Sequence, residues 1–277
     1  MGEYKTLTKE GRTLAAPVIT LISDFGLVDG YCASMKGVIL GIAPDAKLVD
    51  ISHEIRPQDI RSAAFVLFTC YDCFPQGTVH LAVVDPGVGT DRRAIAVRSR
   101  SGFFVGPDNG IFSLVLTKER GWEARILENE GLWHKPLSAT FHGRDVFAPV
   151  AARLARGIPF DLLGPECSPA VLEWSSPDTG KSEVKGEIIH IDRFGNCITN
   201  VTTEHLRVTG SLEGWSVHAG NVEIPSILHA YGDSIPGGVL ALVGSSGFIE
   251  IAINQDNASS RLGLRTGTKI LFLFTQH

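Results

Sequence analysis

Three short polar clusters carry the residue types from which a small catalytic site could be built. The first, Ser23-Asp24-Phe25-Gly26, follows the apolar run 18–22. An ionised Asp is acceptor-only, so Asp24 suits a vicinal diol such as a ribose 2′,3′ pair. A turn or helix-capping Asp is the competing reading. The second cluster, Val84-Asp85-Pro86-Gly87-Val88-Gly89-Thr90-Asp91-Arg92, is a tight turn that brings a carboxylate and a guanidinium together. Its competing reading is a salt bridge that braces a loop. The third, Thr140-Phe141-His142-Gly143-Arg144-Asp145, leads into a helix. The positive end of the helix dipole disfavours protonation of His142, and a neutral imidazole suits hydrogen bonding to, or accepting a proton from, a water.

These clusters need a frame. The run 18–22, a helical spacing of Met35, Val38, Ile39 and Ile42 stopped by Pro44, and a second apolar stretch 47–51 make a strand–helix–strand unit. Pro57 is expected to open a helix through about Phe74. Segment 79–84 is apolar on both faces, as a central parallel strand requires, and 94–97 and 103–105 read as further strands. Val146, Phe147, Val150, Ala151 and Leu154 share a helical face. The fold expected for 16–170 is therefore Rossmann-like α/β, a mostly parallel sheet with helices on both faces and the polar clusters at strand ends, where such sheets bind ligands. A Pro/Ser/Gly-rich linker is expected over 171–185. Beyond it, 186–277 shows short strands without helical period, which predicts a smaller antiparallel β-barrel domain.

Several function classes are excluded or weakened. Gly87 and Gly89 resemble a dinucleotide loop, but Arg92 stands at the third glycine and a strand follows instead of a helix. The CxxC pair Cys70 and Cys73 has no second pair to complete a metal site, and no His spacing matches a metalloenzyme motif. No metal and no cofactor are expected. The net charge of -5, with basic residues clustered no further than pairs, argues against nucleic acid and anionic membranes. No apolar run approaches the roughly 20 residues of a membrane span, and the first sixteen residues lack a signal core. With five scattered cysteines, an odd number, a reduced cytoplasmic protein is expected.

Taken together, the motifs resemble those of the S-adenosyl-L-methionine hydrolases (adenosine-forming), or SAM hydroxide adenosyltransferases, relatives of the bacterial fluorinase and chlorinase. The resemblance runs from Ile19-Thr-Leu-Ile-Ser-Asp-Phe-Gly26 to Ser245-Ser-Gly-Phe-Ile-Glu-Ile-Ala252. Its most specific parts are Val83-Val-Asp-Pro-Gly-Val-Gly-Thr90 with Arg92, and Phe141-His-Gly-Arg-Asp-Val-Phe147. It implies a hydrolytic triad of Asp85, Arg92 and His142, with Asp24 and Asp85 contacting substrate. It also implies ligand contacts from Asp192, Phe194 and Asn196 in Asp192-Arg-Phe-Gly-Asn196, and from Ser245, Ser246, Glu250 and Ile253. S-adenosyl-L-methionine is then the substrate and adenosine a product. A homotrimer, with ligand between the first domain of one subunit and the second domain of its neighbour, is likewise implied.

The halogenases lack the Asp/Arg pair and carry a long insertion in the first domain, so the resemblance favours water over halide as nucleophile. Two other readings stay open on sequence: a halide-using adenosyltransferase on the same fold, and a sensor that binds S-adenosyl-L-methionine or adenosine without turnover. A methyltransferase fits least, because its glycine-rich loop before a helix is missing.

Overall fold

A computed structural model describes residues 16–207 and 212–275. The charged N-terminal stretch read above as lacking a signal core lies, up to Ala15, outside the described residues. The chain divides into two compact units between Leu172 and Glu173.

In the first unit the order is β1 (Val18–Ser23), α1 (Tyr31–Ile42), β2 (Lys47–Ser52), α2 (Ile60–Phe68), β3 (Thr78–Val83), β4 (Ala94–Arg98), β5 (Gly102–Pro107), α3 (Ser113–Lys118), β6 (Glu123–Ile126) and α4 (Ala148–Ala155). The six strands form one sheet in the order β2-β1-β3-β5-β4-β6. The first four run parallel, and β4 pairs antiparallel with both β5 and β6. The central strand β3 is buried along its whole length, which is why its sequence is apolar without alternation. Helices cover both faces. Met35 and Ile39 of α1 and Val150 and Leu154 of α4 pack on Ile19, Leu21, Leu81 and Val83. Ala63 and Leu67 of α2 and Val115 of α3 pack on Ile22, Ala82 and Phe104 from the other side.

The helix expected from Pro57 is shorter than the pattern suggested. Gln58 takes a left-handed φ of 68°, and Asp59 caps the helix by accepting from Ser62 N at 2.9 Å, so α2 opens only at Ile60. It closes at Phe68, and a separate 3₁₀ turn spans Tyr71–Cys73.

The second unit contains β7 (Asp178–Thr179), β8 (Glu183–Ile191), β9 (Cys197–Thr202), α5 (Thr203–Leu206), β10 (Trp215–Ala219), β11 (Val222–Ile224), β12 (Ile227–Leu228), β13 (Val239–Val243), β14 (Phe248–Ile253), α6 (Ala258–Leu262) and β15 (Lys269–Phe274). Its strands follow the order β11-β10-β15-β8-β9-β14-β13-β12, with β7 on β8, and β10 comes back to contact β12. The result is a nearly closed, mainly antiparallel barrel around Val184, Val201, Trp215, Val217, Ile251 and Phe272. Stretch 171–185, expected to be linker, includes β7 and the first residues of β8, because its Asp178 and Thr179 pair with Lys185 and Val184.

Candidate active site

Asp85 stands two residues beyond the end of β3, and its turn is short because Thr90 folds back to donate to Gly87 O at 2.7 Å. Gly89 has φ 78°, and a Cβ there would lie 2.6 Å from Ala139 O, so this position accepts only glycine. The turn delivers Arg92 onto Asp85. Nε donates to Oδ1 at 2.8 Å and to Oδ2 at 3.0 Å, and Nη2 donates to Oδ2 at 2.5 Å. This fork geometry is the strongest form of an ion pair. The guanidinium also lies 5.1 Å above the ring of Phe147, which clamps it from a second side.

His142 comes from 50 residues further on, yet its Nδ1 is 2.9 Å from Arg92 Nη2. It sits at the head of a π-helical turn, Gly143–Phe147, that runs into α4. Such π turns are frequent at functional sites. Arg144 and Asp145 lock this turn: Arg144 Nε donates to Asp145 Oδ1 at 2.6 Å, and fully buried Asp145 accepts from Ser138 N at 2.8 Å.

The Arg92 contact fixes the histidine's tautomer. A guanidinium has donors only, so Nδ1 must present its lone pair and the neutral ring carries its proton on Nε2. The other ring nitrogen therefore offers an N–H. Burial, and then the Arg92 charge, hold the His142 pKa below its ordinary value against the pull of Asp85 and Asp145. The imidazole is neutral at pH 7, with Nδ1 accepting from Arg92 and Nε2 left to donate.

Asp24 is engaged differently. Its Oδ2 accepts at 2.8 Å from the backbone N–H of Gln58, the left-handed residue that precedes the α2 cap. Beside it, Phe25 packs edge-on against Phe141 at 5.9 Å, and Tyr31 meets both rings. Asp24 thus has a structural partner for one oxygen, while the aromatic trio forms a wall next to His142.

Within the second unit a cavity of about 1020 Å³ is lined by Asp192, Phe194, Asn196, Ser245, Glu250 and Ile253 among others. Ser246 is not among its lining residues; it lies in the turn between β13 and β14. Asp192 organises the wall of this cavity. Its Oδ1 accepts from Phe194 N at 2.9 Å and Asn196 N at 2.8 Å, and its Oδ2 accepts from Asn196 Nδ2 at 2.9 Å. The turn tip is Gly195, with φ 88°, where a Cβ would collide with Asn257 at 2.1 Å. Phe194 is left 75% exposed at the rim.

Glu250 is buried, and burial pushes its pKa up; Tyr231, donating to its Oε2 at 2.8 Å, works against that shift, and the neighbouring Asp192 charge adds to it. Tyr231 also accepts from Asn196 Nδ2 at 3.4 Å. Sequence reasoning missed Tyr231, together with His229, Asp256 and Asn257 of the lining. The one signal available was the turn-like Ala230-Tyr231-Gly232-Asp233 between strands.

Known proteins are similar to this chain over most of its length. Residues 19–164 match the family model of the SAM hydroxide adenosyltransferase N-terminal domain, and 186–271 match that of its C-terminal domain. A protein from Thermus thermophilus named (R)-S-adenosyl-L-methionine hydrolase is 40% identical over 262 residues, covering 92% of this chain and 99% of its own. A fluorinase from Nocardia brasiliensis is 27% identical over 289 residues, covering 92% and 96% respectively. The crystal structure of an uncharacterized conserved protein from Thermotoga maritima superposes with a TM-score of 0.86 at 38% identity, covering 92% of this chain and 99% of that one.

Proposed function

The chain belongs to the SAM hydroxide adenosyltransferase family, and on that premise we propose that it hydrolyses (R)-S-adenosyl-L-methionine to adenosine and L-methionine by direct attack of water on the ribose C5′. The observation that carries this reading is the continuous hydrogen-bonded chain Asp85–Arg92–His142.

The sulfonium leaves as a neutral thioether, so no acid is needed at sulfur. The difficulty lies in the nucleophile, because free water has a pKa of about 15.7. Arg92 supplies a fixed positive charge beside the water. His142 donates its Nε2–H to the water oxygen and so aims the remaining lone pair at C5′. As that lone pair forms the C–O bond, the C5′–S pair withdraws onto sulfur. The attacking oxygen then becomes strongly acidic, and its proton passes to a remaining lone pair of the Asp85 carboxylate and on to solvent. A neutral water attacking a cationic sulfonium spreads the positive charge over sulfur, carbon and oxygen in the transition state, so dry aromatic walls such as Phe25 and Phe141 favour the reaction.

Asp24, together with Asp192, Phe194, Asn196, Ser245, Ser246, Glu250 and Ile253, is proposed to hold the substrate. The working form is proposed to be a cytoplasmic homotrimer in which the first unit of one copy and the second unit of its neighbour share the ligand. Support for association comes from exposed apolar side chains in each unit: Val28 at 98% and Leu27 at 66% in the first, Ile235 at 78% and Phe194 at 75% in the second.

A single turnover in ¹⁸O-labelled water tests the chemistry. Direct attack puts the label in the adenosine 5′-oxygen during that first turnover. An unlabelled 5′-oxygen would mean that the Asp85 carboxylate attacks carbon itself. Formation of 5′-halo-adenosine when chloride or fluoride is added would identify a halogenase, and tight binding without methionine release a sensor.

A further inference from the structure

Behind Asp24 lies a second histidine constellation that the proposed chemistry does not use. His53 follows the last residue of β2, and its ring is buried between two partners. Nδ1 is 2.7 Å from Ser23 Oγ, and Nε2 is 3.0 Å from Asp50 Oδ1. Asp50 in turn receives Lys36 Nζ at 2.6 Å on its other oxygen. Serine, histidine and aspartate in a hydrogen-bonded row are the residues of a nucleophilic hydrolase. Here Ser23 is 0% exposed and the His53 side chain 1%, so no substrate reaches that hydroxyl.

The direction of the hydrogen bonds says what the row does instead. The Asp50 carboxylate can only accept, so in the neutral ring Nε2 carries the proton and Nδ1 accepts from the Ser23 hydroxyl. Ser23 Oγ then accepts from Phe25 N at 3.3 Å. The backbone of His53 grips the same turn, since its carbonyl accepts from Gly26 N at 2.7 Å. Asp24 is thus bracketed by Ser23 and Phe25, both tied through Ser23 Oγ to the imidazole, with Gly26 held separately by the His53 backbone. The strand ladders stop short of Asp24: β1 pairs with β2 only as far as Ile22 with Ser52, and with β3 only as far as Ser23 with Val83. Phe25, by contrast, is held by packing against Phe141 and Tyr31 and does not depend on the ring alone.

We infer that the His53 ring, braced by Asp50 and acting through Ser23, is a positioning group that sets the Asp24 carboxylate for the nucleoside. The inference rests on the proposed role of Asp24 in holding adenosine. Removing the ring leaves the buried Ser23 hydroxyl with only the weak Cys32 Sγ contact at 3.8 Å, while the backbone bond from Gly26 N to the carbonyl of residue 53 persists. The Asp24 turn should loosen on its Ser23 side while the Arg92 corner stays intact.

The test compares wild type, His53→Ala, His53→Asn and Ser23→Ala by adenosine calorimetry, by KM and kcat for S-adenosyl-L-methionine, and by thermal unfolding. His53→Ala should raise adenosine Kd and KM by about tenfold to a hundredfold, with kcat changed by less than about threefold. In His53→Asn the amide oxygen falls near the former Nδ1 and accepts from Ser23, so most of the affinity should return. Should His53→Ala not fold, Ser23→Ala carries the same test, with an expected rise of about fivefold or more in Kd. Wild-type Kd in a folded His53→Ala, or in Ser23→Ala, overturns the inference. A failure of the hydrolytic reading looks different: wild type itself would make no adenosine, while the calorimetric comparison would still read the turn.

Discussion

The corner at Asp85 and the cavity at Glu250 both use carboxylates, but they treat them in opposite ways. In the first unit Asp85 is met by two nitrogens of one guanidinium, so its charge is cancelled at contact distance and its geometry is fixed. In the second unit Asp192 is satisfied by two backbone N–H groups and an amide, and Glu250 by a phenol. None of those donors carries charge. The first arrangement suits a reacting centre, where a preorganised cation beside a water is worth most when nothing has to move. The second leaves negative potential in a large cavity, which suits recognition of a cationic ligand. On the proposed function, chemistry and recognition are separated by how the acids are paired.

Arg92→Ala probes the contrast where its effect should be greatest. It removes the cation from the corner and leaves the Asp85 charge buried without its partner. A fall in kcat of about 10²–10⁴ is expected, with KM changed by no more than about threefold. Wild-type kcat in this variant would erase the distinction. Glu250→Gln should show the converse, a rise in KM of about tenfold with kcat retained, because it replaces an acceptor for Tyr231 and an anion in the cavity. Tyr231→Phe should shift KM in the same direction by a smaller, severalfold amount. A kcat loss in either cavity variant that matched the Arg92→Ala loss would mean that both regions act on the reacting bond.

Much of the frame was legible because it obeys one-dimensional rules. A fully buried parallel strand must be apolar throughout, and 79–84 is; a helix on one face repeats every three to four residues, as Met35, Val38, Ile39 and Ile42 do. What escaped was short or internally polar. α3 and β6 have 6 and 4 residues, too few for a period to show. β9 was hidden by Thr199 and Asn200, which are buried but satisfied by Ile249 O and Ser175 O, bonds that no local pattern announces. The same limit governs the site. Asp85 and Arg92 could be paired from the turn between them, whereas His142 joined them through family resemblance alone. Tyr231 meets Glu250 across 19 residues and belongs to no motif, so only the folded barrel reveals it.

The two regions should also titrate separately, and this gives the smallest and most discriminating test. His142 must stay neutral to accept from Arg92, and its pKa is held below 6.5, so kcat should be flat through pH 7 and fall only at pH below that value. Glu250 is pushed above 4.5, so its anion is lost at less acidic pH than an ordinary glutamate's. Acid therefore weakens both functions, each by at most about tenfold per pH unit for a single proton. In wild type, kcat/KM should fall more steeply than kcat on the acid side, because it carries both protonations. Glu250→Gln removes the buried acid whose titration is raised, so its kcat/KM and kcat profiles should run closer to parallel while the His142 limb stays in place. A difference in steepness that survived this substitution would show that the cavity's acid does not control binding, and the contrast between a paired and an unpaired carboxylate would lose its functional meaning.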